Sequence, residues 1–208
     1  GKSTTAKGVS NKLGFNHIDT GSMYRAVTFG LIHENIMLDN RNSIISYLRN
    51  LDLKFDSNGY IVLNGKNVSN AIRTVEISSK VSKISAIPEI RSKMVEFQRN
   101  IAGKSDCVLE GRDIGTVVFP NADYKFYMIA DINIRAQRRL IELKQIDEST
   151  TIEEIISSIK VRDELDSKRS HSPLKKATDA IEIDTSLLSI SQQVEKIVKI
   201  VKQNKKET

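Results

Sequence analysis

Apolar positions recur along this chain in two alternating rhythms. Ala6, Val9 and Leu13 share one face at helical spacing, so residues 4–13 read as a helix, and Gly14 stands where a left-handed cap belongs. Residues 15–19 follow as a short strand. After Thr20-Gly21 the helical spacing returns, with Met23, Ala26, Val27 and Leu31 as the buried face. Strand-like runs recur at residues 107–110, 124–130 and 180–184, with helical patterns between them. Strands alternating with helices predict an α/β fold, a parallel sheet with helices on both faces.

One stretch departs from this rhythm. Leu53-Lys54-Phe55-Asp56 and Tyr60-Ile61-Val62-Leu63 flank Ser57-Asn58-Gly59, and a second turn signal, Asn64-Gly65, follows at once. Residues 39–75 therefore read as a small antiparallel insert. Pro88 opens another helix at its first turn. Ile90, Met94, Phe97 and Ile101 form its apolar stripe and Gly103 closes it. A further helix begins at Ile152 behind a Thr151-x-x-Glu154 capping box. Its seam runs Ile152, Ile155, Ile159 and then, at the same spacing, Arg162, Asp166, Arg169.

Composition bounds the possibilities. The 208 residues, 39% hydrophobic and 28% charged, suit one α/β domain carrying a small insertion. No apolar run approaches the roughly 20 residues of a membrane-spanning helix. The single cysteine, Cys107, forms no intrachain disulfide, suits a reducing cytoplasm and reads as a small buried hydrophobe. His17, His33 and His171 lack ligand spacing, so no protein-built metal site is expected. The net charge of +6 is partly a solvated helix end, Lys199, Lys202, Lys205 and Lys206. The arginines elsewhere are more informative.

Four segments carry candidate chemistry. Gly1-Lys2-Ser3-Thr4 matches the second half of a phosphate-binding loop and feeds a helix, whose N-terminal amides and dipole favour an anion. Glu110-Gly111-Arg112-Asp113-Ile114-Gly115 follows a strand, where open α/β sheets bind ligands; the alternative is a turn with a surface ion pair. Asp19-Thr20-Gly21-Ser22-Met23-Tyr24-Arg25 also follows a strand, though Thr20 can equally cap the helix and Arg25 be simply exposed. The Arg162, Asp166, Arg169 seam reads either as solvated helix pairs or as guanidinium forks turned inward toward an anion. The second reading explains better why a core-facing seam becomes charged.

Together these segments resemble the bacterial-type cytidylate kinases of the P-loop nucleoside monophosphate kinase superfamily. The matching pieces are GKST at residues 1–4, HIDTGSMYR at 17–25, SKISAIPEIR at 82–91, EGRDIGTVVFP at 110–120, RDELDSKR at 162–169 and IDT at 183–185. The resemblance spans essentially the whole chain, antiparallel insert included. It implies transfer of the ATP γ-phosphoryl group to CMP or dCMP, with Mg²⁺ carried on ATP. It assigns Gly1, Lys2, Ser3 and Thr4 to the ATP loop, Ser3 touching Mg²⁺, and Arg138 to the adenine side. It puts Thr20, Tyr24 and Arg25 on CMP, Ser82, Arg91 and Asp113 on cytosine, and Arg112 beside base and phosphate. Arg162, Asp166 and Arg169 would contact sugar, phosphates and the moving phosphoryl group. Lys2, Arg112, Arg162 and Arg169 would be catalytic. The core would be residues 1–38 and 76–208, with a lid near 140–150 and an acceptor-binding insert at 39–75. The family's N-terminal strand and first loop glycine precede the portion matched here. A cytoplasmic monomer without nucleic-acid or membrane partners is expected.

Three rivals make different demands. A related kinase for UMP, dTMP or shikimate would share the ATP loop but not a cytosine-reading Asp113. A nucleic-acid-binding module would want stacking aromatics, whereas the chain has no Trp and 5% aromatics. A regulatory nucleotide switch would hydrolyse ATP without an acceptor.

Overall fold

The computed structural model describes residues 1–103, 105–143 and 150–204, leaving aside the side chains of 143 and 204. Most of the expected lid, residues 144–149, and Lys205 and Lys206 of the basic tail lie outside the described residues. The chain divides into two compact units, Gly1–Phe15 with Arg112–Thr208, and Asn16–Gly111.

In the first unit, α1 (Lys2–Leu13) ends on Gly14, whose φ of 71° is the left-handed cap expected there. The strands β6 (Phe126–Ile129) and β7 (Ile181–Asp184) pair in parallel, Phe126 against Ile181 through Ile129 against Asp184. Helices α6 (Ile132–Leu143) and α7 (Ile152–Lys168) pack on each other, as do α1 and α8 (Ile190–Asn204). Both halves of the Thr151–Glu154 capping box are present. A π-helical stretch, Ile114–Val118, follows Asp113, with Val118 N–H reaching back to the Asp113 carbonyl.

In the second unit, β1 (Asn16–Asp19) and β5 (Cys107–Glu110) pair in parallel, and their last residues, Asp19 and Glu110, stand opposite each other. Helix α2 (Thr20–His33) buries Met23, Ala26, Val27 and Leu31 almost completely, as its pattern predicts. The expected antiparallel insert is present: β2 (Leu53–Phe55), β3 (Ile61–Leu63) and β4 (Lys66–Asn67), after α3 (Arg41–Arg49). Asn64 and Gly65, with φ of 48° and 79°, make the tight turn between β3 and β4. A 3₁₀ turn, Ala71–Arg73, leads into α4 (Val75–Ile84), and α5 (Pro88–Ala102) carries Pro88 in its first turn.

The stripe expected on α5 is displaced. Its buried residues are Ile90, Arg91, Met94, Gln98 and Ala102, while Phe97 and Ile101 are only half-buried. Apolar spacing registers neither a buried guanidinium nor a buried amide. Cys107 is likewise half-buried rather than enclosed. The parallel pairs flanked by helices form a mixed α/β fold. Among the described residues, no helix is long and apolar enough to cross a membrane.

Candidate active site

The first unit gathers a set of charged side chains on α7 and the segment after β5. Asp166 is only 4% exposed, and its Oδ2 accepts from Arg112 Nε at 2.8 Å. Arg169 Nη1 lies 3.7 Å from Asp166 Oδ1 and Arg162 Nε 3.9 Å from Oδ2. Three guanidinium groups therefore share one buried carboxylate. They are unequally enclosed: the Arg169 side chain is 7% exposed and that of Arg162 44%.

This corrects the inward seam in one respect. Arg162 shares a helix face with Asp166, one turn on, yet its side chain is exposed while Asp166 is buried. The helix also stops at Lys168, so Arg169 is its C-cap, and Arg169 Nε donates to the Ser172 carbonyl at 2.6 Å. Asp163, also on α7, binds Arg135 of α6 through both oxygens, at 2.6 and 2.9 Å. That hydrogen-bonded contact raises the Arg135 pKa above its ordinary value, against the opposing effect of burial.

At the other end of the unit, Gly1 is the N-cap of α1, whose first turn holds Lys2, Ser3 and Thr4 and no acidic residue. No acidic residue of that turn offsets the helix dipole, which suits an anion. Arg138 of α6 donates to the Thr185 carbonyl at 2.7 Å, just beyond β7. A Cβ placed on Gly1 would lie 3.6 Å from Arg138 Nη1, so the start of α1 and Arg138 are neighbours. Asp113 is buried, and its carbonyl anchors the π-helical stretch by accepting from Val117 N–H at 2.9 Å.

In the second unit, Thr20, Tyr24 and Arg25 lie on α2. Thr20 is not the helix cap. Asp19 is, accepting from Ser22 N–H at 3.1 Å, and the Thr20 hydroxyl donates across the strand ends to the Glu110 carbonyl at 2.5 Å. Arg25 is half-buried rather than simply exposed, and donates to Ser78 Oγ at 2.8 Å. Arg91 is buried, donates to the Ser85 carbonyl at 2.9 Å and stacks its guanidinium over the Tyr24 ring, 5.4 Å from the centroid. Ser82 sits half-buried on α4.

One residue of the Glu110–Gly115 segment was given no role of its own from the sequence. Glu110 is buried at the end of β5, and His17 Nε2 stands 3.2 Å from its Oε1. The available signal was an acidic residue closing a strand immediately before Gly111-Arg112-Asp113. Among the described residues no cluster of three or more His, Cys, Asp or Glu could hold a metal ion.

The chain is similar throughout to known proteins of one kind. The family model described as cytidylate kinase matches residues 1–203. A cytidylate kinase of Clostridioides difficile (strain 630) is 46% identical over 198 residues, 95% of this chain and 91% of the relative. One from Clostridium botulinum (strain Loch Maree / Type A3) is 44% identical, covering 98% of this chain and 94% of the relative. A third, from Caldanaerobacter subterraneus, is 44% identical over 99% and 92%. Matched over nearly its whole length by both the family model and these relatives, the chain belongs to the cytidylate kinase family.

Proposed function

We infer that this enzyme transfers the γ-phosphoryl group of ATP to CMP or dCMP, giving the nucleoside diphosphate and ADP. The observation that carries the inference is the gathering of Arg112, Arg162 and Arg169 on the buried Asp166 carboxylate. Phosphoryl transfer asks little covalent help of a protein; positioning and charge neutralisation supply most of the rate. Three guanidinium forks held apart by one carboxylate suit equatorial phosphoryl oxygens. They stay oriented because Asp166 holds them before any phosphate arrives.

The remaining roles follow from matched motifs. Gly1, Lys2, Ser3 and Thr4 hold the ATP phosphates, with Lys2 on the transferred group and Arg138 on the adenine side. Thr20, Tyr24 and Arg25 bind CMP, Arg25 at its phosphate. Ser82, Arg91 and Asp113 read cytosine. A carboxylate accepting from N4 and a donor facing O2 or N3 favour cytosine over uracil, by about 1–3 kcal/mol per good pair in the analogous reading of bases in nucleic acids. Residues 39–75 serve as the acceptor-binding insert in a core of 1–38 and 76–208. Arg112 and Arg162 neutralise charge as the phosphoryl group moves, together with Arg169.

The residues fit Mg²⁺ that arrives on ATP. Ser3 offers a hydroxyl in the first turn of α1. When bound, the ion would neutralise charge on the ATP phosphates. The same reading has the enzyme act as a cytoplasmic monomer.

The test is an assay of the intact protein with ATP against CMP, dCMP, UMP, AMP and dTMP. CMP and dCMP should be the preferred acceptors. Asp113→Ala should reduce CMP turnover far more than ATP binding, and an equal loss of both would remove Asp113 from base reading.

A further inference from the structure

The start of α1 is tied to a helix almost two hundred residues away by a buried polar chain. Thr5 and Gln193 are both fully buried, and the Thr5 hydroxyl lies 2.7 Å from Gln193 Oε1 and 2.9 Å from the Gly1 carbonyl. The hydroxyl has one proton. The Gly1 carbonyl already accepts the Thr5 amide at 2.9 Å, so the shorter contact to Gln193 takes it.

The amide's other end then has a set direction. Gln193 Nε2 donates to the Leu188 carbonyl at 2.9 Å. Leu188 N–H reaches the Thr185 carbonyl at 3.3 Å, which also accepts Arg138 Nη2 at 2.7 Å. Arg138 Nη1 in turn borders Gly1, 3.6 Å from where its Cβ would stand. The hydrogen bonds run from Gly1 through Thr5, Gln193, Leu188 and Thr185 to Arg138, whose Nη1 stands beside Gly1.

Packing alone does not call for an amide here. A leucine of similar volume would fill the site without the cost of desolvating two polar ends. The helix bearing Gln193 is also held in place, since a Cβ on Gly8 of α1 would come within 2.6 Å of Val194 Cγ2.

We propose that Gln193 is a positioning residue for ATP: through Thr5 and Leu188 it holds the phosphate-loop end of α1 in register with the segment after β7. This rests on the assignment of residues 1–4 and Arg138 to the ATP side. It does not depend on which acceptor is phosphorylated.

The experiment uses the intact protein with Gln193→Leu, Thr5→Val and Thr5→Ser. Affinity for a non-hydrolysable ATP analogue is measured without acceptor, beside KM for ATP, KM for CMP and thermal unfolding. Losing one well-aligned buried hydrogen bond should weaken analogue binding and raise KM for ATP about five- to tenfold, with KM for CMP changed by less than about twofold. Thr5→Ser, which keeps the hydroxyl, should restore the parent values. Unchanged analogue affinity in folded Gln193→Leu overturns the proposal, as do equal rises in both KM values. Should Gln193→Leu fail to fold, the two Thr5 variants decide, and equal behaviour of Thr5→Val and Thr5→Ser refutes it. A wrong acceptor assignment would show only in the acceptor panel, because the analogue titration uses no acceptor.

Discussion

Asp166→Asn tests the guanidinium cluster most directly. The carboxylate is almost fully enclosed and carries contacts of 2.8, 3.7 and 3.9 Å to three cationic groups. Breaking a fully buried ion pair costs about 3–5 kcal/mol, because the surviving charge is left unpaired. The side chains of Arg112 and Arg162 are 31% and 44% exposed, so water compensates part of their loss. The cost should then be about 2–3 kcal/mol, or roughly 4–12 °C in Tm for a chain of this size. Differential scanning fluorimetry measures it. A second arm separates a structural cluster from one that meets phosphate. Asp166 holds those guanidinium groups in the orientation a phosphate meets, so removing the carboxylate's charge loosens them and weakens the hold on an anion. Saturating CDP should therefore raise Tm less in Asp166→Asn than in the parent. If the variant melts within about 1 °C of the parent, the pairing contributes little. If CDP gives both proteins the same increment, these arginines do not hold phosphate.

Other perturbations reach different parts of the molecule. The Tyr47 hydroxyl is buried with no hydrogen-bond partner among the described residues, and burial raises its pKa well above the usual phenol value. Tyr47→Phe should therefore stabilise by about 1 kcal/mol in chemical denaturation. Gly30→Ala, whose methyl group would collide with that oxygen, should destabilise by about 1–3 kcal/mol, and by less when combined with Tyr47→Phe. The Lys125 ammonium donates to Asp179 at 2.6 Å and holds its carboxyl below the usual range. The folded pKa lies below the unfolded one, so the stabilisation is present above about pH 4 and lost as pH falls through the folded value. Stability curves of Asp179→Asn and the parent should differ at pH 7 and converge in acid; a constant gap would contradict this. Burial, reinforced by Asp106, raises the Cys107 thiol pKa, so iodoacetamide should label the native protein at pH 7.5 more slowly than the unfolded chain by mass spectrometry.

The two-beat spacing of strands and helices was legible because the residues that set it are apolar and sit on one face. Met23, Ala26, Val27 and Leu31 are the clearest case, and Asn64-Gly65 announced its turn because few other pairs tolerate two positive φ values. What stayed hidden involves polar atoms that fold inward. Arg91 and Gln98 displace the expected stripe of α5, Glu110 turns inward at the end of β5, and Gln193 is enclosed on a helix that reads as basic and solvated. Glu110 and Gln193 meet partners distant in sequence, His17 and Thr5, which no local window contains. Arg162 shows the converse error. Periodicity placed it on the seam, but a long side chain one turn from Asp166 reaches its partner from the rim.

The pairing of α1 with α8 sets an order of events during synthesis. Thr5 and its partner Gln193 are 188 residues apart, so at ribosomal speed the phosphate-loop helix waits roughly ten to forty seconds for the surface that covers it. Until then Val9 and the small face at Gly8 stay bare, and a stalled or clipped translation product offers that sticky stripe to chaperones and proteases.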